Sequence, residues 1–196
     1  MKAAYILFSG SMICALRAGS KTQTRRTAAP RWEPGDLLVV REAFQLLQPL
    51  DNQKPSIMMR QTPIHYMADG KAPAGYGKGR PSIHMPRLAS RLTLRVQEVR
   101  AEPLLEISEA DAIAEGITVE QVILGADCPG GVHREITGER AFYPGCPEEG
   151  FEDPEEAYFH LWDHINGEGA SAANPQVFAT TFEVIEKNVD DVLKAA

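Results

Sequence analysis

Residues 8–26 read FSGSMICALRAGSKTQTRR, and the change of pattern inside this stretch decides how the fold begins. Ser9 or Ser11 can cap a short helix in which Met12, Ile13 and Leu16 follow a period of about 3.6 residues, and Gly19 supplies a left-handed stop. The chain leaves that helix directly into Lys21-Thr22-Gln23-Thr24-Arg25-Arg26. A lysine, two hydroxyls and two guanidinium groups after a fixed corner can present donors and a nucleophile from a rigid element. The same residues can equally form a solvated basic turn, because no short lysine and threonine pattern is diagnostic.

Working outward, Lys2 to Phe8 (KAAYILF) reads as a first strand. Ser9 and Gly10 interrupt the apolar opening early and only one lysine precedes it, so the start is read as folded protein rather than a secretory leader. Pro34-Gly35-Asp36 is a turn, and Leu37 to Val40 is a buried strand by its apolar run. Arg41 and Glu42 end that strand, either as a structural ion pair or at the mouth of a pocket.

The chain has 196 residues, 43% of them hydrophobic and 24% charged, which suits a globular protein with one good core. No apolar run approaches the roughly 20 residues needed to cross a bilayer, so no membrane partner is expected. Three cysteines build no disulfide framework, and a reducing cytoplasm is the simplest setting. The net charge of −7 conceals a split: residues 1–100 hold 16 Lys+Arg against 6 Asp+Glu, and residues 101–196 hold 4 against 21. The basic half either attracts anions or is answered inside the fold by the acidic half.

Residues 44–83 read as an insertion with one short strand candidate, Ile64 to Met67. Its basic glycine-rich run, Gly75 to Pro81, can hold a phosphate beside a base stacked on Tyr76, or simply turn at the surface. His84 precedes a strand in which Leu92, Leu94 and Val96 alternate with polar residues, and the parity slips at Val99, placing a bulge near Glu98. Ser108 and Asp111 form a capping pair for a short helix that stops at Gly116, leaving Glu115 on its last turn. A carboxylate at the negative end of a helix is misplaced unless a cation or a task holds it.

Residues 119–152 read as a second insertion. Its Cys128, His133 and Cys146 lack a fourth ligand and the spacing of a paired knuckle, so no metal and no cofactor is expected. Asp153-Pro154-Glu155-Glu156 opens the clearest helix, with Tyr158, Leu161, Trp162 and Ile165 on its core face and His160 and His164 on its polar side. Gln176 to Ile185 is a last strand, and residues 187–196 are a polar tail that can fray or form a loose helix. One domain spanning residues 1–196 is the economical organisation, and nothing in the pattern specifies an oligomeric state.

The order strand, helix, Gly19-x-Lys21-Thr22-x-Thr24-x-Arg26, Gly35-Asp36 with an apolar strand, then an alternating strand and a capped helix resembles the ASCH superfamily. The likeness covers roughly residues 3–42, 87–118 and 157–186. With PSIHMPRLASR and LWDHING included, the sequence is similar to ASCH-domain proteins of bacteriophages and prophages. The resemblance implies an α+β fold, a PUA-like mixed β-barrel flanked by short helices, here with two long inserted loops. It also implies association with RNA.

One branch of that superfamily, the small bacterial N(4)-acetylcytidine amidohydrolases, uses a lysine, a threonine and a glutamate. Carried over by motif these are Lys21, Thr24 and Glu115, the last through ISEADAIAEGIT. The resemblance implies hydrolysis of an N(4)-acylated cytosine, with Thr24 as nucleophile, Lys21 as its base and Glu115 orienting the lysine. Arg26, Arg41, His84 and Arg87 are the expected substrate-binding residues. A modified nucleoside or RNA is the expected partner. The alternatives are a non-catalytic RNA-binding module, with Arg25, Arg26, Arg87, Arg91 and Arg95 along the backbone, or a metal-independent ribonuclease of phage origin.

Overall fold

A computed structural model describes residues 2–127, 134–145 and 150–195, and within them the chain is a mixed α and β protein. Strand β1 (Ala3–Leu7) leads through Ser9, whose hydroxyl accepts from the Met12 amide, into α1 (Gly10–Ala18). Gly19 ends this helix at φ 78°, a left-handed conformation that costs glycine little. A short strand β2 (Gln23–Arg26) follows, then β3 (Leu37–Arg41), which lies parallel to β1 with Tyr5 opposite Val39. Parallel neighbours need a crossover, and α1 with β2 occupies it.

β7 (Thr93–Pro103) and β10 (Gln176–Ile185) complete a five-stranded sheet in the order β1-β3-β7-β10-β2. The register of β10 against β7 shifts between Thr181 opposite Glu98 and Phe182 opposite Val96. The extra residue is therefore Gln97, next to the bulge expected near Glu98. β1 and β2 are the two edges of this sheet and share no ladder among the described residues. Even so, the sheet curls enough for Arg26 Nη2 on β2 to donate to the Leu7 carbonyl on β1 at 2.9 Å.

Both faces of β3 are covered, which explains its unbroken apolar run. Leu38 and Val40 pack with Ile6, Phe8, Ile13, Leu16, Leu94 and Phe182 on one face. Leu37 and Val39 pack with Val189 and Val192 on the other. Of the two alternatives for the polar tail the structure shows the helix, docked and not loose: α4 (Val189–Lys194) is capped by Asn188 and holds its two valines against the sheet.

The first expected insertion is structured. β4 (Phe44–Leu47) pairs with β5 (Ile64–Tyr66) and β6 (Tyr76–Arg80) in a three-stranded sheet, over a core of Phe44, Leu46, Met58, Met85 and Ala89. The glycine-rich run read as a loop is largely β6. Arg80 is buried at its end, donating to the Leu50 and Asp51 carbonyls at 2.8 and 3.0 Å, and is not offered to a ligand. In the second insertion, β8 (Thr118–Asp127) and β9 (Arg134–Phe142) form an antiparallel pair. Cys128, His133 and Cys146 lie outside the described residues.

The acidic half answers much of the basic half. Arg25 meets Glu102, Asp111 and Glu115, while Arg60 meets Asp191, Arg87 meets Asp190 and Arg95 meets Glu183. Glu42 does not pair with its neighbour Arg41. It forms a two-pronged bond with Arg91, at 2.9 Å for each prong, and Arg91 also holds Asp69. No helix among the described residues is long and apolar enough to cross a membrane.

Candidate active site

Gly19 turns the chain so that the Ser20 and Lys21 amides both donate to the Ala15 carbonyl, at 3.1 and 3.2 Å. Lys21 thereby stays in the corner before β2 begins. It is bridged there to Glu115, and the neighbouring Thr22 amide donates to the Ala114 carbonyl at 2.8 Å. Glu115 sits at the C-terminal cap of α2 (Glu109–Ala114), whose other end is capped by Ser108 accepting from the Asp111 amide. Gly116 follows at φ 104°, and a Cβ there would stand 3.2 to 3.4 Å from Pro144, Ala15 and Lys21. The two chain segments approach so closely that this position tolerates little beyond glycine.

The Lys21 side chain has no exposed surface, and its Nζ donates to Glu115 Oε2 at 2.6 Å and to the Glu115 carbonyl at 2.8 Å. The cation that the misplaced carboxylate requires is therefore Lys21, which neutralises both the carboxylate and the helix C-terminus. Burial lowers the Lys21 pKa below 10.5. The Glu115 charge opposes that shift, while Arg26 and Arg25 add to it. The other carboxylate oxygen, Oε1, faces Arg25 Nη1 at 3.3 Å and accepts from the Tyr158 hydroxyl at 3.4 Å. Tyr158 lies on α3 (Pro154–Asn166), and burial raises its phenol well above 10.0, with Glu115 adding to the effect.

Arg25 is held with equal care. It contacts Glu102 at 2.7 Å and Asp111 at 3.1 Å, and donates to Gln23 Oε1 at 2.5 Å. Gln23 in turn donates to Asp111 and Thr181 at 3.2 and 3.0 Å. Arg100 binds Glu102 and Asp111 from outside. Lys21, Gln23 and Arg25 share one strand parity and converge on this acidic group, whereas Thr24 and Arg26 have the other.

A cavity of about 710 Å³ opens between the two sheet edges and α3. Its walls include Thr24, Arg25, Arg26 and Arg31, together with Glu115 and Tyr158. The apolar part comes from Ile6, Leu7, Met12, Trp32, Leu161, Trp162 and Ile165. Trp32 is oriented by a hydrogen bond of 3.2 Å from its Nε1 to Thr180, the residue opposite Thr24 across the β10 ladder. Ile165 is 52% exposed and forms part of this wall instead of joining the core, which is why it completes the helix period without being buried.

Of the expected residues, Thr24, Glu115 and Arg26 line this cavity, and Lys21 lies behind Glu115. Arg41, His84 and Arg87 line none of the described cavities. Arg41 stacks on the Tyr5 ring at 3.7 Å and donates to the Ile83 carbonyl. His84 is exposed on a single 3₁₀ turn, Ser82–His84, and Arg87 is turned to Asp190 at 2.8 Å. The sequence reading did not place Tyr158, Trp32 or Trp162 at the site, nor Arg25 as a fixed partner of Glu115. Tyr158 fits the core-facing period of α3, and only its hydroxyl distinguishes it from a packing residue.

No protein-family model matches the chain, and comparisons with curated proteins and with solved structures likewise give no match.

Proposed function

We propose that this chain is an ASCH-type hydrolase with a PUA-like barrel, which seats an N(4)-acylated cytidine in the cavity between β1 and β2 and hydrolyses its exocyclic amide. One observation carries the reading. Glu115, 94 residues from Lys21 in sequence, is bonded to it in the interior and lines the same cavity as Thr24. The curl that brings sheet edges β1 and β2 within reach of one hydrogen bond supports the barrel. Strand β1 pairs only with β3 among the described strands. Its other edge therefore offers main-chain donors and acceptors to a base, and Trp32 and Trp162 offer apolar faces.

In this scheme Thr24 Oγ1 forms a bond to the acyl carbon and gives its proton to the Lys21–Glu115 pair. Burial draws the lysine pKa below its ordinary value, so the proton it shares with Glu115 is released more readily than from an exposed lysine. The carbonyl oxygen becomes an oxyanion, which the Arg25 guanidinium group stabilises by charge. Collapse breaks the carbon–N4 bond, and the leaving amine takes the proton from the pair. Water then adds to the Thr24 ester, giving its proton to the pair, and the ester carbon–oxygen bond breaks. Thr24 regains a proton and the free acid departs. Glu115 meets the substrate side and Lys21 acts from behind it.

Mass spectrometry of protein quenched during turnover tests the covalent step. The expected result is one acyl group on the peptide carrying Thr24, absent in Thr24→Ala. An acyl group on another residue, or a substrate consumed with no acyl-protein in either wild type or a slowed Glu115→Gln variant, overturns the threonine mechanism.

A further inference from the structure

Two arginines that meet no carboxylate among the described residues, Arg26 and Arg31, line the same cleft. A second lobe of about 490 Å³ shares Leu7, Met12, Arg26, Leu161 and Ile165 with the first, so the two form one cleft with Arg26 at the junction. The second lobe also carries His164 and the Ser9 and Ser11 hydroxyls, which lie 3.1 Å apart, and no carboxylate among the described residues lines it. In the first lobe the lone carboxylate among the described residues, Glu115, is already bound by Lys21 and Arg25.

Most arginines of this protein are neutralised: Arg17, Arg25, Arg60, Arg87, Arg91, Arg95 and Arg100 each meet a carboxylate. Arg26, Arg31, Arg41, Arg80 and Arg140 meet none among the described residues; Arg41, Arg80 and Arg140 donate to main-chain carbonyls away from the cleft, whereas Arg26 and Arg31 both line it. Arg26 is exposed and has one described hydrogen bond, to a main-chain carbonyl. In a chain of net charge −7, uncompensated guanidinium groups gathered in one concavity mark it as the place where an anion enters.

We infer that the second lobe, with Arg26 at its entrance, holds a phosphate group of the substrate, so that the chain acts on acylated cytidine nucleotides in preference to the neutral nucleoside. The inference rests on the amidohydrolase reading for the identity of the base, but not for the phosphate itself. A base beside Thr24 places its ribose toward the junction, where a guanidinium group can take two phosphate oxygens. The chemistry is common to a terminal monoester and to a phosphodiester within a strand.

The test compares N(4)-acetylcytidine, its 5′-monophosphate and a trinucleotide with the acetylated base in the middle, on wild type, Arg26→Gln, His164→Gln and Lys54→Ala, a cation outside the cleft. The 5′-monophosphate is expected to be about tenfold or more better than the nucleoside in kcat/KM, the scale of one charge-assisted hydrogen bond. That ratio should fall toward one in Arg26→Gln, fall in part in His164→Gln and persist in Lys54→Ala. A trinucleotide matching the monophosphate assigns the lobe to strand phosphates, and a poor trinucleotide assigns it to free nucleotides. Equal turnover of nucleoside and monophosphate removes the phosphate site while leaving the hydrolase. If no substrate is turned over, tryptophan-fluorescence titration with cytidine and cytidine 5′-monophosphate still decides: tighter binding of the monophosphate, lost in Arg26→Gln, sustains the site, and equal affinities remove it.

Discussion

Lys21 Nζ donates to both the carboxylate and the main-chain carbonyl of Glu115, at 2.6 and 2.8 Å, across 94 residues of chain. One amine thereby pins the end of α1 to the end of α2 and sets the carboxylate at the cavity wall. The arrangement is structural as well as chemical, and its two roles separate experimentally.

Breaking the pair from one side should be costly. Lys21→Met leaves Glu115 buried with only Arg25 and Tyr158 beside it, and Glu115→Leu strands the lysine. Each is expected to lower stability by about 3–5 kcal/mol, with the double variant costing clearly less than the sum. Urea denaturation of the four proteins in a double-mutant cycle measures the coupling, and additive losses would mean that the pair contributes no specific interaction.

Stability should depend on alkaline pH with a sign set by Lys21. Its folded pKa lies below 10.5, so between the two values the unfolded chain holds a proton that the native state has released. The unfolded state then binds more protons, and the lysine's contribution improves as pH rises through that window, its penalty being complete below it. Tyr158 works in the opposite sense above 10.0, because its folded pKa is raised and the native state keeps the proton longer. The advantage in unfolding free energy of wild type over Lys21→Met, followed by denaturant titration up to the free-tyrosine value, should therefore grow with pH. A flat difference would show that the amine keeps its ordinary pKa.

Thr24 should be separable from the fold. It is 4% exposed on an edge strand, and Thr24→Ala removes little packing volume, so melting should shift by no more than about 1–2 kcal/mol equivalent. Turnover should drop at least ~10³-fold, as for loss of a nucleophile, while affinity for the unhydrolysed substrate persists. Parallel calorimetry and initial rates check this. Thr24→Ala with near wild-type kcat would reassign the nucleophile to water.

Both tryptophans of the chain, Trp32 and Trp162, line the cleft. Ligand entry should change intrinsic emission substantially, and Trp32→Phe should abolish part of the signal and weaken binding by about tenfold, the scale of one aromatic stacking contact. Titration with cytidine nucleotides measures both. Unchanged emission at saturating ligand, with binding confirmed by dialysis, would put the ligand elsewhere.

Elements whose signals act within a few residues were legible in the sequence. Gly19, Ser108 and Asp153 cap where the pattern places them, and Ser9 is the one of the two candidate serines that caps α1, because a cap is satisfied by an amide or carbonyl of the adjacent turn. The Val99 slip located the bulge for the same reason. Partners chosen at long range were not legible. Strand parity separates Arg25 from Arg26, but nothing local says that one side carries the three carboxylates that lock Arg25 while the other opens on the cleft, where Arg26 meets only a main-chain carbonyl among the described residues. The Gly75 to Pro81 run carries turn residues throughout, yet it is largely strand because β4 supplies its hydrogen bonds. The tail after Glu186 has few apolar residues, and only the uncovered face of β3 gives Val189 and Val192 a place to bury.

The central claim is the chemistry at Thr24 and Glu115, and its most direct measurement is the incubation of purified folded protein with N(4)-acetylcytidine and its 5′-monophosphate, followed by chromatography. The account predicts release of cytidine or its monophosphate together with acetate, lost in both Thr24→Ala and Glu115→Gln. Intact substrate after prolonged incubation with wild type, or product formed equally by both variants, would contradict it.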